Sequence, residues 1–355
     1  MSLPMIQISR PSVGPLEKAA VLAVLESGHL AQGSRVDELE EGFRALTGAP
    51  EAVAVSSGTA GLQLALLAHG VGPGDEVITS PFSFVATVNS ILMTGARPVF
   101  ADIDPASFNL SPAAVRSAVT PRTRVIMPVH IYGRLCAMDE LDEIASAAGA
   151  TVVEDAAQAV GADDRGRGPG QRATAVYSLY ATKNVMAGEG GVVTTHDPEV
   201  ADRLRLLRNH GMRARYQYEG LGYNLRLTDL QAALGVVQLR RHPELVARRR
   251  ANAEFLSRRL TNVTLPEVTP GHVWHQYTIR VRDRERAAAH LTAQGVGTGV
   301  FYPLGLHQVP HVAALLGPIS MPACEDACRE VLSLPVHPEL DDEELERIVQ
   351  AVNTL

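Results

Sequence analysis

Short apolar runs alternate with helical patterns between residues 50 and 195 of the chain. Near-continuous apolar strands that are separated by helices are typical of a mostly parallel sheet covered on both faces. The strand candidates are residues 51–57, 75–80, 98–103, 124–130, 151–156 and 175–180, and the helical patterns between several of them include residues 61–71, 84–95 and 138–149. The sequence therefore predicts an α/β fold with a large α/β/α domain, whose ligands bind at the carboxyl ends of the strands.

The character of the sequence changes after a long helical stretch at residues 227–260. A strand pattern at residues 273–282 and a helical pattern at residues 285–295 indicate a smaller α+β unit. A chain of 355 residues, 46% of them hydrophobic, is long enough for one large domain and a smaller one. We predict a large domain over residues 1–240, with the N-terminal segment, and a small C-terminal α+β domain over residues 241–355.

Charge and composition exclude several classes of function. The formal net charge of −7 argues against nucleic acid or an anionic membrane as the main partner. The first residues lack a signal-peptide pattern, and the chain has no run of 18 apolar residues, so we expect a cytoplasmic protein. The three cysteines, Cys136, Cys324 and Cys328, lack the second Cys/His pair of a zinc site, so we expect buried thiols and no metal.

The stretch "VSSGTAGLQ" at residues 55–63 runs from a predicted strand into a predicted helix. Serine hydroxyls, free backbone N–H groups and the positive end of a helix dipole then meet at the ligand edge of the sheet, and phosphate binds to such groups. An ordinary Ser/Thr helix cap explains the same residues.

A second stretch, "VVEDAAQAVG" at residues 152–161, ends a predicted strand with Glu154 and Asp155. We expect both carboxylates to face the ligand edge of the sheet. Either one could cap the next helix. A half-buried Asp155 that faced a ring nitrogen would instead raise the pKa of that nitrogen and keep it protonated.

The third stretch is "SLYATKNVMAGEGGVV" at residues 178–193, in which Lys183 has no acidic residue within five positions on either side. Apolar surroundings would desolvate the ammonium and lower its pKa, and a partly deprotonated lysine is what a Schiff base with an aldehyde requires. A solvated surface lysine is the simpler interpretation. Together, a phosphate cradle, a carboxylate and a desolvated lysine are what pyridoxal 5′-phosphate needs.

The chain resembles the DegT/DnrJ/StrS-type sugar aminotransferases, a branch of the fold-type I pyridoxal-phosphate enzymes. The motifs that carry the resemblance run over nearly the whole chain in order. They are "SGHLAQGSRVDELE", "SSGTAGLQLAL", "GDEVITSPFSFVAT", "PVFADID", "PVHIYG", "EDAAQAVGA", "SLYATKN", "GEGG", "RNHG", "GYNLRLTDLQAAL", "GVGTGV" and "SLPVHPEL". The resemblance implies a pyridoxal-phosphate aminotransferase with a large parallel-sheet domain and a smaller C-terminal domain.

The resemblance also implies roles for individual residues around the cofactor ring. Lys183 would bind the cofactor covalently and move the proton during catalysis, and Asp155 would pair with the pyridine nitrogen. Phe84 would stack on the ring, and Gln158 would contact its other side or its phenolic oxygen.

The cofactor phosphate has its own set of implied partners. Gly58, Thr59 and Ser178 would hold it within one subunit. Asn224, in "GYNLR", would reach the phosphate of the neighbouring subunit. The resemblance thus implies a homodimer with shared active sites.

The implied substrates are a nucleotide-linked keto-sugar and glutamate as amino donor, in amino-sugar and polysaccharide biosynthesis. Tyr302 and His307 are candidates for substrate contact, although packing explains each equally well. Phe301 stands where many sugar aminotransferases have a histidine, which leaves the sugar open. A keto-cyclitol substrate and a non-catalytic regulator that binds the cofactor are the alternatives. Related dehydratases have histidine in place of the lysine, and Lys183 argues against that activity.

Overall fold

The structure of the chain, a computed structural model, describes residues 4–355. Its strands are β1 (Glu51–Val55), β2 (Glu76–Thr79), β3 (Arg97–Phe100), β4 (Thr123–Met127), β5 (Thr151–Asp155), β6 (Thr174–Ser178), β7 (Gly191–Thr195), β8 (Met212–Ala214), β9 (Gln217–Tyr218), β10 (Tyr277–Arg280) and β11 (Val331–Leu334). Its helices are α1 (Pro15–Ser27), α2 (Ser34–Thr47), α3 (Gly58–Ala68), α4 (Ala86–Met93), α5 (Pro112–Ala118), α6 (Met138–Ala148), α7 (Pro198–Arg208), α8 (Asp229–Arg259), α9 (Arg284–Ala293), α10 (Pro310–Leu316), α11 (Pro322–Glu330) and α12 (Asp342–Asn353). None of the described helices has both the length and the apolar character of a membrane span.

The first seven strands form one sheet in the order β1-β7-β6-β5-β4-β2-β3. Strand β7 is antiparallel to both of its neighbours, and the remaining neighbours are parallel. Because β1 and β6 are both antiparallel to β7, they run in the same direction as the rest of the sheet. The carboxyl ends of β1, β5 and β6 therefore lie at one edge, and the predicted α/β fold with a mostly parallel sheet is confirmed.

All six strands and all three helices that the pattern predicted between residues 50 and 195 are present, with bounds that shift by a few residues. Strand β7 was not predicted. It begins at Gly191, directly after a glycine-rich loop, and its five residues form a run too short to stand out from that loop. It is fully buried nonetheless, because it lies between β1 and β6.

The two faces of the sheet pack against different helices. On one face, Tyr177 of β6 contacts Phe43 of α2, with ring centroids 5.3 Å apart, in a core that α8 also joins. On the other face, Val176 and Val193 pack with α3 and α7. Helix α3 lies so close to the sheet that a Cβ atom on Gly61 would come within 2.7 Å of the Val176 side chain. Alternation along each strand thus produces the three predicted layers.

A second core contains α9, α12, β10 and β11. Helix α8 joins the two cores without a break: its residues up to Val246 pack against the large sheet, and those from Ala253 onward pack in the second core. Ile6, near the start of the chain, also lies in the second core and exchanges backbone hydrogen bonds with residues 295 and 297. The predicted division at residue 240 falls inside α8 and stays a prediction.

The cysteines are buried and unpaired, which confirms the predicted buried thiols. Cys324 and Cys328 lie one turn apart on α11, with sulfur atoms 4.0 Å apart. Within residues 4–355, no group of three or more His, Cys, Asp or Glu side chains is arranged to bind a metal ion.

Strand β1 is an edge strand, and two side chains satisfy its free side. The Ala54 N–H donates to Glu40 Oε1 at 2.8 Å, and Arg208 Nη1 donates to the Ala54 carbonyl at 2.7 Å. Glu40 and Arg208 also pair with each other at 2.7 Å, and both side chains are largely buried. We call the Glu40–Arg208 pair the clamp. It satisfies the backbone N–H and C=O groups of Ala54, which an edge strand otherwise leaves without partners, and it fixes the strand that leads into α3.

We expect Glu40→Ala to lower the free energy of unfolding by about 3–5 kcal/mol, because it leaves the Arg208 guanidinium buried without its carboxylate. Glu254→Ala is the matched control, since Glu254 forms an exposed pair with Arg258 one helical turn away. Its cost should stay below about 1 kcal/mol. Urea denaturation of the two variants at one protein concentration measures both values. Equal losses would contradict a structural role for the clamp.

Candidate active site

The start of α3 presents free backbone amides at the ligand edge of the sheet. Ser57 caps this helix, with its Oγ accepting a hydrogen bond from the Ala60 N–H at 3.1 Å. The N–H groups of Gly58 and Thr59 have no acceptor in the described part of the chain. Two free amides at the positive end of a helix dipole form an anion-binding site.

Two glycines let the strands come close to this helix start. A Cβ atom on Gly58 would lie 2.9 Å from the Cβ of Ser178, at the end of β6. A Cβ atom on Gly191, at the start of β7, would lie 2.7 Å from the Ser57 carbonyl oxygen. Gly58, Thr59 and Ser178, which we predicted as phosphate ligands, are thus brought together. We call the N–H groups of Gly58 and Thr59, with the Ser178 hydroxyl, the cradle.

Asp155 ends β5 and is only 4% exposed. Its Oδ2 accepts a hydrogen bond from Thr87 Oγ1 at 2.8 Å, and its Oδ1 accepts one from the Ala157 N–H at 3.2 Å. Burial raises the pKa of this carboxyl, while Thr87, Ala157 and the Lys183 charge lower it. The side chain is therefore a fixed, desolvated carboxylate that a cation would stabilise.

Thr87, on α4, is a residue of the site that the sequence analysis missed. Its hydroxyl lies 2.8 Å from the Ser83 hydroxyl and donates a hydrogen bond to Asp155 Oδ2. Ser83 and Thr87 are four residues apart in "SFVAT", the spacing of neighbours on one helical face, and that spacing was the available signal. Phe84 lies between them and is 57% exposed, so its ring is free to contact a ligand.

The expectation that Glu154 faces the ligand edge beside Asp155 is wrong. Glu154 Oε2 lies 2.7 Å from His130 Nε2, and Oε1 accepts a hydrogen bond from the Gly170 N–H at 3.1 Å. Adjacent strand residues point to opposite faces of a sheet, so only one of the pair can reach the site. The Cys136 N–H donates to His130 Nδ1, which leaves the ring proton on Nε2, where it is donated to Glu154.

Gln158 connects two other elements of the site. Its Oε1 accepts a hydrogen bond from the Tyr132 N–H at 2.7 Å, and its Nε2 donates to the Tyr302 hydroxyl at 3.3 Å. The Tyr302 ring lies 6.2 Å from the Phe84 ring. Burial, and then the nearby Asp155 charge, raise the pKa of the Tyr302 hydroxyl. The structure thus brings the predicted residues Gln158, Tyr302 and Phe84 to the Asp155 side of the site.

His307, the other candidate for substrate contact, packs in a separate cluster. Its Nε2 lies 3.2 Å from Glu325 Oε1, and its ring lies edge-on to Phe100 at 6.3 Å. A Cβ atom on Gly305 would meet the ring at 2.5 Å, so the loop lies directly over the imidazole. These contacts bury the ring almost completely and favour packing as its role.

Asn224 follows the short β8–β9 hairpin, and its side chain is exposed. Its backbone pairs with Asn209. The next carbonyl, that of Leu225, accepts the Ser56 N–H at 2.8 Å, so the segment lies against the end of β1. The implied contact of Asn224 with the neighbouring subunit stays a prediction.

Lys183 lies in the loop between β6 and β7, whose ends are closed by backbone hydrogen bonds from Leu179 to Gly190 and from Ala187 to Leu179. Burial lowers the pKa of its amine to about 8, although the Asp155 charge opposes that shift. The amine is therefore partly neutral near neutral pH. Lys18 is the chain's only other lysine, and it lies exposed on α1.

These groups can be matched to chemical requirements. The cradle suits a phosphate, the buried Asp155 carboxylate suits a protonated ring nitrogen, the exposed Phe84 ring suits a flat ligand, and the Lys183 amine suits an aldehyde. The residues present therefore fit pyridoxal 5′-phosphate.

Comparisons with known proteins agree with this fit. The model of the DegT/DnrJ/EryC1/StrS aminotransferase family matches residues 11–353. The chain is 40% identical to the pleiotropic regulatory protein of Geobacillus stearothermophilus, over 99% of this chain and 98% of that protein.

Two solved structures show the same fold. One is that of S. venezuelae DesV in complex with a ketimine intermediate, with 41% identity, a TM-score of 0.92 and coverage of 95% of this chain and 93% of that one. The other is the PLP form of the putative sugar aminotransferase Spr1654 of Streptococcus pneumoniae, with 28% identity, a TM-score of 0.92 and coverage of 100% and 98%.

In cofactor-free protein, we expect Lys183 to react with a trace of an amine-directed acylating reagent with a midpoint near pH 8, the pKa to which burial lowers its amine. Mass spectrometry of the Lys183 peptide, with the exposed Lys18 as the internal reference, measures the rate at each pH. Asp155→Asn should move the midpoint lower, because the Asp155 charge favours the ammonium. A midpoint near the usual lysine value of 10.5 would contradict the desolvated setting.

Proposed function

The chain belongs to the DegT/DnrJ/EryC1/StrS aminotransferase family, and from this premise we propose that it transfers an amino group from glutamate to a nucleotide-linked keto-sugar in amino-sugar biosynthesis. It is a pyridoxal-phosphate-dependent aminotransferase. The observation that carries the proposal is the Lys183 amine, with its lowered pKa, beside the buried Asp155 carboxylate. We place the reaction in the cytoplasm, where unpaired thiols such as those of this chain persist.

The cofactor would be held at three points. The free N–H groups of Gly58 and Thr59 and the Ser178 hydroxyl would bind its phosphate, and Phe84 would cover its ring. When bound, the cofactor supplies an aldehyde that combines with amines and a conjugated ring that spreads the negative charge left by a departing proton.

Lys183 has two tasks in this proposal. Its neutral Nζ binds the cofactor in the resting enzyme. Once the donor amine has taken its place, the same Nζ would accept the proton that leaves the α-carbon of the amino acid and would deliver it to the former aldehyde carbon of the cofactor. A pKa near 8 suits both tasks, because a group transfers protons best when its pKa is close to the working pH.

Asp155 keeps a proton on the ring nitrogen. Burial alone raises the pKa of this carboxyl, but a cation beside it would lower that pKa again and favour the anion. The Thr87 hydroxyl and the Ala157 N–H fix the two oxygens, so the carboxylate does not need to reorient as charge develops.

The proposed contact with the keto acceptor depends on Tyr302. The Tyr302 hydroxyl is buried between Gln158 and the Asp155 side of the site, where a keto group would approach. A keto-cyclitol fits the same residues and is the second candidate. The similar protein of Geobacillus is called a regulatory protein, and a regulator that only binds the cofactor is the non-catalytic alternative, which turnover in the assay below would exclude.

A homodimer with shared active sites is part of the proposal. Large apolar side chains are exposed on and after the β8–β9 hairpin, among them Tyr216, Tyr218 and Leu221. Clustered exposed aromatic and aliphatic residues are typical of a protein interface. Asn224 follows the same segment with its side chain exposed, so an interface formed by this hairpin would carry it toward the partner.

The test of function is a panel of dTDP-, UDP- and GDP-linked 3-keto- and 4-keto-sugars with glutamate, with products identified by mass spectrometry. We expect at least one amino-sugar product from the wild type and from Lys18→Ala, the matched lysine control. Lys183→Ala should give none, because Lys18, the only other lysine of the chain, lies exposed on α1. Turnover of keto-cyclitols alone would favour the second candidate, and cofactor binding without any turnover would favour the regulator.

Shared sites predict complementation between two inactive variants. A Lys183→Ala protein and an Asn224→Asp protein, whose carboxylate would repel the phosphate, should each be nearly inactive. When mixed, they should form some dimers in which one site has both groups intact, so that activity returns to a fraction of the wild-type value. Subunit exchange is verified first by native mass spectrometry. No recovery after exchange, or full activity in a monomer, would exclude the shared site.

A further inference from the structure

Asn184 directly follows Lys183, and its side chain ties the lysine loop to another part of the chain. It is 5% exposed, and its Nδ2 donates to the Val273 carbonyl oxygen at 2.9 Å. Its Oδ1 accepts a longer hydrogen bond, at 3.4 Å, from His275 Nδ1. Among the described residues, no other side chain at positions 181–187 forms a hydrogen bond with a different segment. Apart from apolar packing, the middle of the loop therefore depends on one amide group.

The orientation of this amide follows from its two partners. The Val273 carbonyl only accepts hydrogen bonds, so the amide nitrogen faces it and the amide oxygen faces His275. Burial, together with the Lys183 and Arg249 charges, lowers the pKa of the His275 imidazole well below its usual value, so the ring is neutral. Its single N–H lies on Nδ1, where it is donated to Asn184. Both polar atoms of the amide are thus satisfied in one orientation.

The partners of Asn184 lie in a segment that is itself fixed, residues 272–276, which we call the strap. Two arginines of α8 hold the strap through three of its carbonyl oxygens: Arg250 Nε donates to His272 at 3.0 Å, and Arg249 Nη1 donates to Trp274 at 3.1 Å and to His275 at 3.4 Å. Val273 packs in the core of the large sheet, whereas Trp274 packs in the second core. Asn184 is therefore bonded to a segment that is anchored in both cores.

The strap also borders the Gln158 side of the site. The Val273 N–H donates to the Gly133 carbonyl at 3.0 Å, and a Cβ atom on Gly133 would lie 2.8 Å from the Val273 side chain. The preceding residue, Tyr132, donates its N–H to Gln158 Oε1 at 2.7 Å. The loop of Lys183 and the partner of Gln158 are therefore held against one segment.

We propose that Asn184 is a positioning residue that acts through Lys183: it ties the lysine loop to the strap and thereby holds the Lys183 amine in its buried place beside Asp155. The inference rests on the proposed function, because it assumes that Lys183 binds the cofactor and transfers the proton. Without the tether, the loop would let the amine move toward water and away from the reacting atoms. A misplacement of about 1 Å in such a group can lower a rate about a hundredfold.

The first test is the acylation of Lys183 in cofactor-free protein, with Lys18 as the internal reference. Asn184→Leu keeps the approximate volume of the side chain and removes both hydrogen bonds. We expect the Lys183 midpoint to rise from near pH 8 toward the usual 10.5, because hydration of the ammonium cancels the effect of burial on its pKa. The variant leaves unchanged the titratable and charged groups that the structure places near the amine, which are Asp155, His275, Arg249 and Arg10.

Asn252→Leu is the matched control. Asn252 of α8 is 6% exposed, and its Nδ2 also donates to a backbone carbonyl at 2.9 Å, that of His337. Both variants should lower the urea concentration at which half of the protein is unfolded, but only Asn184→Leu should move the Lys183 midpoint. A wild-type midpoint in Asn184→Leu, or an equal shift in both variants, would leave Asn184 with a structural role alone and overturn the proposal.

The second test follows the half-reaction of the holoenzyme with glutamate by stopped-flow absorbance. In Asn184→Leu, we expect the rate constant at saturating glutamate to fall about tenfold to a hundredfold, while the dissociation constant for glutamate stays within about threefold. Asn184→Gln, which keeps the amide on a longer side chain, should recover part of the rate and part of the Lys183 midpoint. A loss confined to glutamate binding would contradict a role in placing Lys183.

If Asn184→Leu fails to fold, Asn184→Ala decides the question by the same two readouts, because its small side chain leaves room for a water molecule at the Val273 carbonyl. A wild-type midpoint and a wild-type rate in Asn184→Ala would overturn the proposal. Failure of the proposed function has a different signature. A Lys183 midpoint that depends on Asn184, without any reaction of glutamate, supports the tether and contradicts glutamate as the donor.

Discussion

The site depends on two opposite charges that the fold removes from water at one edge of the sheet. Burial moves the pKa of the Asp155 carboxyl upward and that of the Lys183 amine downward, and the attraction between the two groups limits both shifts. The Lys183 amine is thereby brought nearer to the point where it exchanges protons at working pH, while Asp155 is a desolvated carboxylate that a cation would stabilise. On a solvated loop, neither side chain would have its pKa shifted by burial. The parallel sheet and its covering helices therefore produce the pKa values on which the proposed chemistry depends.

Strand β7 explains how Lys183 comes to this edge. In a parallel sheet, the chain leaves the carboxyl end of a strand and crosses over to the opposite edge before the next strand begins. Because β7 is antiparallel to β6, the loop between them starts and ends at the ligand edge. Lys183 lies in that loop, and Gly191, the first residue of β7, packs against Ser57 beside the cradle. One reversed strand therefore brings the amine and the phosphate cradle together.

Local pattern predicted most of this arrangement. The six predicted strands are near-continuous apolar runs, and Lys183 and Asp155 stand out because each interrupts an apolar context. Strand β7 was missed because its five residues merge with a glycine-rich loop. Glu154 was misplaced because the alternation of side chains along a strand was not applied to neighbouring carboxylates.

Other features depend on contacts between distant parts of the chain, which no local pattern carries. Thr87 is 68 residues from Asp155 in the sequence. Nothing near Thr87 in the sequence shows that its hydroxyl donates to that carboxylate, because only the folded sheet brings the two residues together. Arg249 of α8 is buried, and its Nη1 donates to the carbonyl oxygens of Trp274 and His275, which lie 25 and 26 residues further along the chain. The position of His307 could not be predicted from the sequence either, because its burial against Phe100 and Glu325 results from packing between distant parts of the chain.

The Asp155 carboxylate is a buried charge that the Thr87 hydroxyl, the Ala157 N–H and the Lys183 charge compensate in part. A buried charge makes folding less favourable than an apolar residue would. That penalty falls when a protonated ring nitrogen binds beside the carboxylate. A ligand that binds only the folded protein stabilises it by mass action, so the cofactor should add to its stability. The site thus gives up stability in the ligand-free protein and recovers it when the cofactor binds, through the same electrostatics that tune the lysine.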